Sequence, residues 1–440
     1  MNPGPPSESS GRDRIAELSA SDVKGLLRGS GEIALLDVRE PGEFSDGHPL
    51  FATMVPFSRF EPELLRLVPN PAARIVLIDD GSSGRAQRAA SIAATLGYGN
   101  IAILAGGIPA WQAAGYTLFE GEHVPSKAFG ELLHEACHVP SIAPADFESR
   151  RRAGEELVLL DGRPLAEHRK MCIPGSVCLP NGDLAYRIGL VVADETIPIV
   201  VHCAGRTRSI LGAQTLRELG LKNPVAALED GTQGWMLAGL ALEHGSERHV
   251  ADAPDVSTRA AQQTHACNLA ERWGVPSVGA SDLQAMIGDR SRTSYLLDVR
   301  SPEEYSAQPA AAIQNAPGGQ LVQATDRWLA VRGARVVLVD DNEIRATITA
   351  HWLRQMGWDA AVLKGGRAAW PALSSLPPLR APADPGAARH VDKSRFMPDR
   401  HAGNRDHARG YLAWEKGLVA RLDADERAAF RIKADAPASA

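Results

Sequence analysis

Short apolar runs alternate along the chain with longer segments whose apolar residues recur at helical spacing. The clearest helical segment follows residue 203 and places five apolar residues on one face: Ile210, Leu211, Ala213, Leu216 and Leu219. Gly220 then supplies a helix stop signal. Apolar strands that alternate with helices are typical of a parallel sheet covered on both faces. The pattern therefore predicts an α/β protein built on mainly parallel sheets.

Three sequence features occur three times in the same order. An apolar run ends in Asp-x-Arg, a second run ends in a polar loop, and a third run ends in a segment with Trp. The first feature starts at Asp37, Asp161 and Asp298. From these aspartates to Asp80, Cys203 and Asp341 the steps are 43, 42 and 43 residues. The steps to Trp111, Trp235 and Trp370 are 74, 74 and 72 residues. This register predicts three homologous modules.

The modules are expected near residues 16–120, 138–245 and 275–378. A polar stretch between the second and third modules predicts a linker and one helix. Residues 379–440 begin as a Pro/Ala-rich linker. The segment YLAWEKGLVARL that follows has the apolar spacing of an amphipathic helix, which we expect to dock on the body of the protein.

Composition excludes several classes of protein. The 440 residues are 44% hydrophobic and 23% charged, with a net charge of −6, which favours neither nucleic acid nor an anionic membrane as partner. No apolar run reaches the roughly 20 residues of a membrane span. The first residues lack the apolar core of a signal peptide, so we expect a cytoplasmic protein. The chain has five cysteines, and this small, odd number favours reduced thiols over a disulfide framework.

Cys203 is the candidate for chemistry. It ends an apolar strand, and Gly205, Arg206 and Arg208 follow before the helix begins. A loop over a helix N-terminus directs backbone N–H groups at the sulfur, and the two arginines add positive charge. Both effects favour the thiolate, which is the nucleophilic form. A lone cysteine is more often a small buried apolar residue, but this sequence context favours a nucleophile.

The three repeats resemble rhodanese homology domains, and the whole chain resembles bacterial sulfurtransferases in which several such domains are fused. The Asp-x-Arg segment, the Cys-x-x-x-x-Arg loop and the Trp-containing ending carry the resemblance. It implies that Cys203 is the catalytic nucleophile, taking sulfane sulfur from thiosulfate or a similar donor and holding it as a persulfide. A thiol or cyanide then accepts the sulfur, and a protein acceptor is compatible with this chemistry. No cofactor or metal is implied.

The resemblance also implies the residues that bind the donor, which match the family's six-residue loop: Ala204, Gly205, Arg206, Thr207 and Arg208. Arg208 is expected to belong to the loop, and Arg206 is expected to contact substrate rather than solvent. The Gly-His-Ile-Pro-Gly segment common in the family is replaced in the second module by a sequence with Cys172. We expect Cys172 and Cys178 to be packing residues. For Arg187, the pocket mouth and the surface are equally favoured.

Two other functions compete with a sulfurtransferase. Phosphatases of the related Cys-x5-Arg type have one residue more in the loop, and the smaller loop here suits sulfur better than phosphate. A non-enzymatic persulfide carrier or scaffold is favoured by the flanking modules, where Asp80 and Asp341 align with Cys203. A carboxylate forms no persulfide, so we expect both flanking modules to be inactive. In this alignment the third loop is one residue shorter than the other two, which predicts a distorted loop.

Overall fold

The computed structural model describes residues 15–192, 194–310, 312–373, 376, 379–380 and 395–433. Within them the chain forms three sheets flanked by helices. The α/β class and the three repeated modules predicted from the sequence are confirmed. None of the helices in these residues is both long enough and apolar enough to cross a bilayer.

The first module alternates strands and helices along the chain. Its strands are β1 (Ala16–Leu18), β2 (Ile33–Asp37), β3 (Thr53–Met54), β4 (Ile75–Ile78) and β5 (Ile101–Leu104). Its helices are α1 (Ala20–Arg28), α2 (Pro41–Asp46), α3 (Phe60–Leu67), α4 (Arg85–Thr95) and α5 (Gly107–Ala113), with a 3₁₀ turn at Phe57–Arg59. A connecting helix, α6 (Val124–Cys137), then leads to the second module.

The second module repeats this order. Its strands are β6 (Ser141–Ile142), β7 (Val158–Asp161), β8 (Val177–Cys178), β9 (Ile199–His202) and β10 (Val225–Leu228). Its helices are α7 (Pro144–Arg152), α8 (Leu165–Lys170), α9 (Leu184–Arg187), α10 (Thr207–Glu218) and α11 (Gly231–Leu237), with 3₁₀ turns at Asn181–Asp183 and Ile188–Leu190. The predicted helix before the third module is α12 (Val256–Trp273), capped by the Asp255 carboxylate.

The third module adds one strand to the pattern. Its strands are β11 (Ser277–Val278), β12 (Ser294–Asp298), β13 (Gln314–Asn315), β14 (Val331–Arg332), β15 (Arg335–Val339) and β16 (Asp359–Leu363). Its helices are α13 (Ala280–Gly288), α14 (Pro302–Ala307), α15 (Gly318–Gln323) and α16 (Ile344–Gln355), with 3₁₀ segments at Thr325–Arg327 and Gly366–Leu373. The C-terminal part contains a 3₁₀ turn at Pro398–His401 and the helices α17 (Arg405–Arg421) and α18 (Ala424–Ala428).

The three sheets share one strand order. In the second module it is β6-β10-β9-β7-β8, and in the third it is β11-β16-β15-β12-β13, with every pair parallel. The first module has the same order, and β14 of the third module adds to it antiparallel to β2. The central strands are apolar and buried on both faces, as parallel strands between helix layers must be. The first and third modules are therefore joined through one sheet.

The strand register corrects the alignment of the three loops. Asp161 of β7 pairs with His202 of β9, so Cys203 is the first residue after the strand. In the first module Asp37 pairs with Ile78, and in the third Asp298 pairs with Val339. The residues in the place of Cys203 are therefore Asp79 and Asp340.

The expectation that Asp80 and Asp341 occupy this place is thus wrong by one residue. Each flanking loop begins with two consecutive aspartates, so the sequence alone offered two alignments. The third loop, from Asp340 to Arg345, has the same length as the loop from Cys203 to Arg208. The expected contraction of the third loop is therefore also wrong, and the first loop is the one that carries an additional residue.

Candidate active site

Cys203 lies at the carboxyl edge of its sheet, between β9 and α10, where parallel α/β folds bind ligands. Its side chain is buried, and Sγ is 3.1 Å from the Ser209 hydroxyl oxygen. The start of α11 fixes the loop, because Thr232 N–H donates to the Cys203 carbonyl at 2.8 Å. Gly231 has φ +53°, and a Cβ there would be 2.2 Å from that carbonyl oxygen. Only glycine permits this close approach.

The third module shows what the loop geometry binds. The Asp340 carboxylate accepts backbone N–H bonds from Asn342, Glu343, Arg345 and Ala346 at 3.2, 2.5, 2.8 and 3.3 Å. Four N–H groups thus converge on one anion. We call this set of converging N–H groups the N–H cradle.

The first module fills its N–H cradle in the same way. The Asp79 carboxylate accepts from the N–H groups of Gly81 and Ala86 at 2.8 and 2.9 Å. In the second module a thiol occupies this place. The corresponding N–H groups, on Gly205, Arg206, Arg208 and Ser209, find no protein acceptor within the residues the structure describes. The second module therefore combines a thiol with an N–H cradle that is open to an anion.

Both loop arginines direct their guanidinium groups at carboxylates. Arg206 Nε and Nη2 donate to the two oxygens of Glu131 on α6 at 2.6 and 2.9 Å, and Nη1 donates to Asp230 at 3.2 Å. Arg208 makes a two-bond ion pair with Glu167 at 2.7 and 2.8 Å. That Arg206 and Arg208 contact the substrate stays a prediction. An anionic substrate would have to compete with these carboxylates for the two guanidinium groups.

Under the loop lies a buried ionic network. Asp161 accepts two bonds from Arg163 at 2.8 and 2.7 Å and one from His168 Nδ1 at 2.9 Å. Burial opposes protonation of His168, but the Asp161 carboxylate prevails and raises its pKa to about 9. Burial lowers the pKa of the neighbouring His202 to about 4, which keeps it neutral. The Asp–Arg pair recurs in the flanking modules as Asp37–Arg39 and Asp298–Arg300, which indicates a structural role for this motif.

A cavity of about 360 Å³ opens in front of the loop. The second module supplies residues 203–208 and Gln233 on α11, and the other lining residues come from outside that module. They include Lys127 on α6, Gln323 on α15, and the C-terminal side chains Arg400, Tyr411 and Glu415. The expected C-terminal helix exists as α17, which packs on α6 and α11. Sequence reasoning missed its part in the site, although Glu415 within the apolar face of α17 was a signal.

Burial changes the ionisation of these outer-wall groups. Burial lowers the pKa of Lys127 to about 8. Burial also raises the pKa of the Glu415 carboxyl, whose Oε1 accepts a bond from the Thr207 hydroxyl at 2.7 Å. Tyr411 is buried as well, and its pKa lies well above the usual value for that reason. The wall thus places an acidic and a basic group close to the loop, and burial shifts the pKa of each toward its neutral form.

Three further residues singled out in the sequence lie away from the cavity. Cys172 and Cys178 are buried, and burial raises the pKa of the Cys178 thiol, as for packing residues. Arg187 is neither at the pocket mouth nor on the surface. It is buried between modules, paired with Asp183 at 2.6 Å and with Glu304 of α14 at 3.2 Å. Nowhere in the described parts of the chain do three His, Cys, Asp or Glu side chains cluster as a metal site.

The family model described as Rhodanese-like domain matches residues 19–114, 143–238 and 279–373. The chain belongs to the rhodanese family. Its structure is similar to a thiosulfate sulfurtransferase from Pseudomonas aeruginosa, with a TM-score of 0.86 and 33% identity, covering 96% of this chain and 100% of that one. It is thus a tandem rhodanese, and the comparison supports a role in sulfur transfer or sulfur carriage.

Two curated relatives match one part of the chain each. An HTH-type transcriptional regulator of Mycobacterium tuberculosis is 33% identical over 108 residues, 24% of this chain and 46% of that protein. The protein YrkF of Bacillus subtilis, whose name assigns it provisionally to the sulfur carriers, is 30% identical over 126 residues, 25% of this chain and 67% of that protein. The rhodanese chain thus spans less than half the length of the regulator.

Proposed function

We propose that this tandem rhodanese is a sulfurtransferase that moves sulfane sulfur from thiosulfate or a similar donor to a thiophilic acceptor through a Cys203 persulfide. The observation that carries the proposal is the open N–H cradle around a thiol. In the flanking modules the N–H cradle is filled by Asp79 and Asp340. The same N–H groups in the second module are free to stabilise a thiolate, a persulfide anion or the donor.

The proposed reaction has two displacement steps. The Cys203 thiolate attacks the outer sulfur of thiosulfate, a new S–S bond forms, and sulfite leaves with the electron pair of the broken bond. A thiolate or cyanide then attacks the terminal sulfur of the persulfide. Cys203 leaves as a thiolate, which restores the starting state. The N–H cradle stabilises the negative charge on sulfur in both steps, while burial of Cys203 limits access by water.

The test is intact-protein mass spectrometry after incubation with thiosulfate. We expect an added mass of about 32 Da, one sulfur atom, that cyanide removes. Cys203→Ser forms no adduct, because a hydroxyl is a poor nucleophile and forms no persulfide. Cys267→Ser, which changes an exposed cysteine that does not line the cavity, is the matched control and loads normally. An adduct of the same size on folded Cys203→Ser protein would refute the assignment.

A persulfide carrier is the second candidate, because two of the three modules have a carboxylate in place of the thiol. Steady-state turnover with thiosulfate and cyanide separates the two functions. An enzyme turns over many times per Cys203, whereas a carrier loads one sulfur and releases it slowly to small acceptors.

A further inference from the structure

The cavity in front of Cys203 is lined by buried polar atoms that lack a partner. Within the described residues, six lining side chains have such an atom: Gln233, Gln323, Arg400, His401, Trp414 and Glu415. Gln233 lacks partners for both Nε2 and Oε1 and is 2% exposed. Buried polar groups are normally hydrogen-bonded, and leaving one without a partner is unfavourable. Their concentration around one cavity indicates a polar ligand.

The lining also contains acidic and basic side chains. Glu415 is 2% exposed, its Oε2 has no partner, and a Cβ on Gly205 of the loop would be 3.0 Å from that oxygen. Arg400 and Lys127 supply positive charge on the other walls. Thiosulfate has no hydrogen-bond donor for Glu415 Oε2, so thiosulfate alone does not satisfy this lining. A ligand with a cationic and an anionic group pairs with both the acidic and the basic side chains of the lining.

The size of the cavity agrees with an organic ligand. Its volume of about 360 Å³ falls within the roughly 300–1,000 Å³ of pockets that bind small organic molecules. Three aromatic side chains of the C-terminal part supply apolar surface to its lining: Phe396, Tyr411 and Trp414. The cavity therefore has room for a carbon skeleton between the sulfur and the charged groups.

We propose that the cavity binds the sulfur acceptor, and that this acceptor is a small amino-acid thiol of the cysteine class, carrying an ammonium and a carboxylate group. Glu415 and Gln233 receive the ammonium group, and Arg400 with Lys127 receives the carboxylate. The inference rests on the proposed function. The acceptor thiol gives its proton to solvent and attacks the terminal sulfur of the Cys203 persulfide. An S–S bond forms to the acceptor, the bond to Cys203 breaks, and Cys203 departs as a thiolate.

The first experiment compares three thiols on the full chain loaded with thiosulfate. They are cysteine, 3-mercaptopropionate, which lacks the ammonium group, and cysteamine, which lacks the carboxylate. Rapid-quench mass spectrometry follows loss of the sulfur adduct, and rates are corrected for the thiolate fraction of each thiol. We expect cysteine to exceed each analogue by about tenfold or more, the effect of one charge-assisted contact. Equal corrected rates would overturn the proposal.

The second experiment changes the carboxylate. Glu415→Gln keeps an acceptor for the Thr207 hydroxyl but removes the charge, so the rate ratio of cysteine to 3-mercaptopropionate falls by about tenfold. Asp406→Asn makes the same chemical change on an exposed side chain of α17 and leaves this ratio unaltered. A ratio unaltered in folded Glu415→Gln protein contradicts the proposal. If Glu415→Gln does not fold, the comparison of thiols on the unaltered chain decides.

Binding separates this inference from the proposed function. S-methylcysteine has both charged groups but no reactive thiol, so calorimetry measures its binding without any sulfur transfer. We expect S-methylcysteine to bind and 3-(methylthio)propionate to bind at least about tenfold more weakly. Absence of a thiosulfate adduct with retained S-methylcysteine binding refutes only the proposed function. Adduct formation without S-methylcysteine binding refutes only this inference.

Discussion

The residue that follows the central strand differs among the three modules: Asp79, Cys203 and Asp340. Asp340 is fully buried, and its pKa is raised by that burial although Arg345 and three N–H groups oppose the shift. In the Cys203 loop the corresponding N–H groups have no protein acceptor among the described residues. The residue at this position therefore decides whether the loop N–H groups bind the protein's own carboxylate or are left without a protein acceptor.

Arg206 provides a prediction for a single side chain. The Arg206 and Glu131 side chains are 11% and 7% exposed, so Arg206→Ala leaves Glu131 as a buried carboxylate without its main cation. Loss of one partner of a buried pair costs about 3–5 kcal/mol. We expect urea unfolding to show a loss of this size in the free energy of unfolding.

The double variant Arg206→Met/Glu131→Leu serves as the control, because replacement of both charges by apolar residues recovers most of the stability. If Arg206→Ala is as stable as the unaltered protein and raises KM for thiosulfate, Arg206 is a substrate contact, as the sequence predicted.

Among the structural elements, the loop between the central strand and the following helix differs from module to module in the residue that holds it. The loop of the third module is held by the Asp340 carboxylate, which accepts four backbone N–H bonds. Its neighbour Asp341 is 31% exposed and makes two longer contacts, of 3.2 Å with Arg300 and 3.3 Å with Arg345. The two adjacent aspartates thus have different roles, although the sequence does not distinguish them.

A matched pair of substitutions tests this difference. Asp340→Ala removes the acceptor of four backbone N–H groups, two buried and two partly buried, so we expect the free energy of unfolding to fall by at least about 3 kcal/mol. Asp341→Ala removes only two longer contacts, and Arg300 and Arg345 keep Asp298 and Glu304 as partners, so the substitution should cost about 1 kcal/mol or less. Urea denaturation of both variants measures the order. The reverse order would restore the alignment that places Asp341 opposite Cys203.

Elements with short-range signals were predictable from the sequence, and contacts between distant elements were not. Repeated strand–loop–helix spacing was sufficient to find three modules and to place Cys203 at a strand end. Lys127 and Glu415 lie 76 and 212 residues from Cys203, outside the repeats, and no periodic pattern connects them to it. The ion pairs of Arg206 and Arg208 also depend on tertiary packing, because Glu131 belongs to α6 and Glu167 to α8.

At the scale of the whole molecule, the modules share their core. The α10 helix, which begins at the active-site loop, is buried on nearly all sides. The connecting helix α6 covers it so closely that a Cβ on Gly130 would be 2.9 Å from the Thr207 side chain. From the third module, Trp352 donates to the Thr215 hydroxyl at 3.0 Å, and His351 pairs with Glu218 at 2.5 Å. The second module therefore depends on its neighbours for the outer face of α10.

Residues 138–245 expressed alone test this dependence. The fragment keeps Cys203 and its loop but lacks α6, α16 and α17, so the apolar and polar groups of α10 that face these helices become exposed. It also leaves Arg206 without Glu131 and removes most of the outer cavity wall. We expect the fragment to lack a cooperative unfolding transition and to load sulfur from thiosulfate far more slowly than the full chain. Circular dichroism during thermal unfolding and intact-protein mass spectrometry measure the two properties, with the full chain as control. A monomeric fragment that unfolds cooperatively and loads at the full chain's rate would show that the flanking modules serve neither the fold nor the chemistry of Cys203.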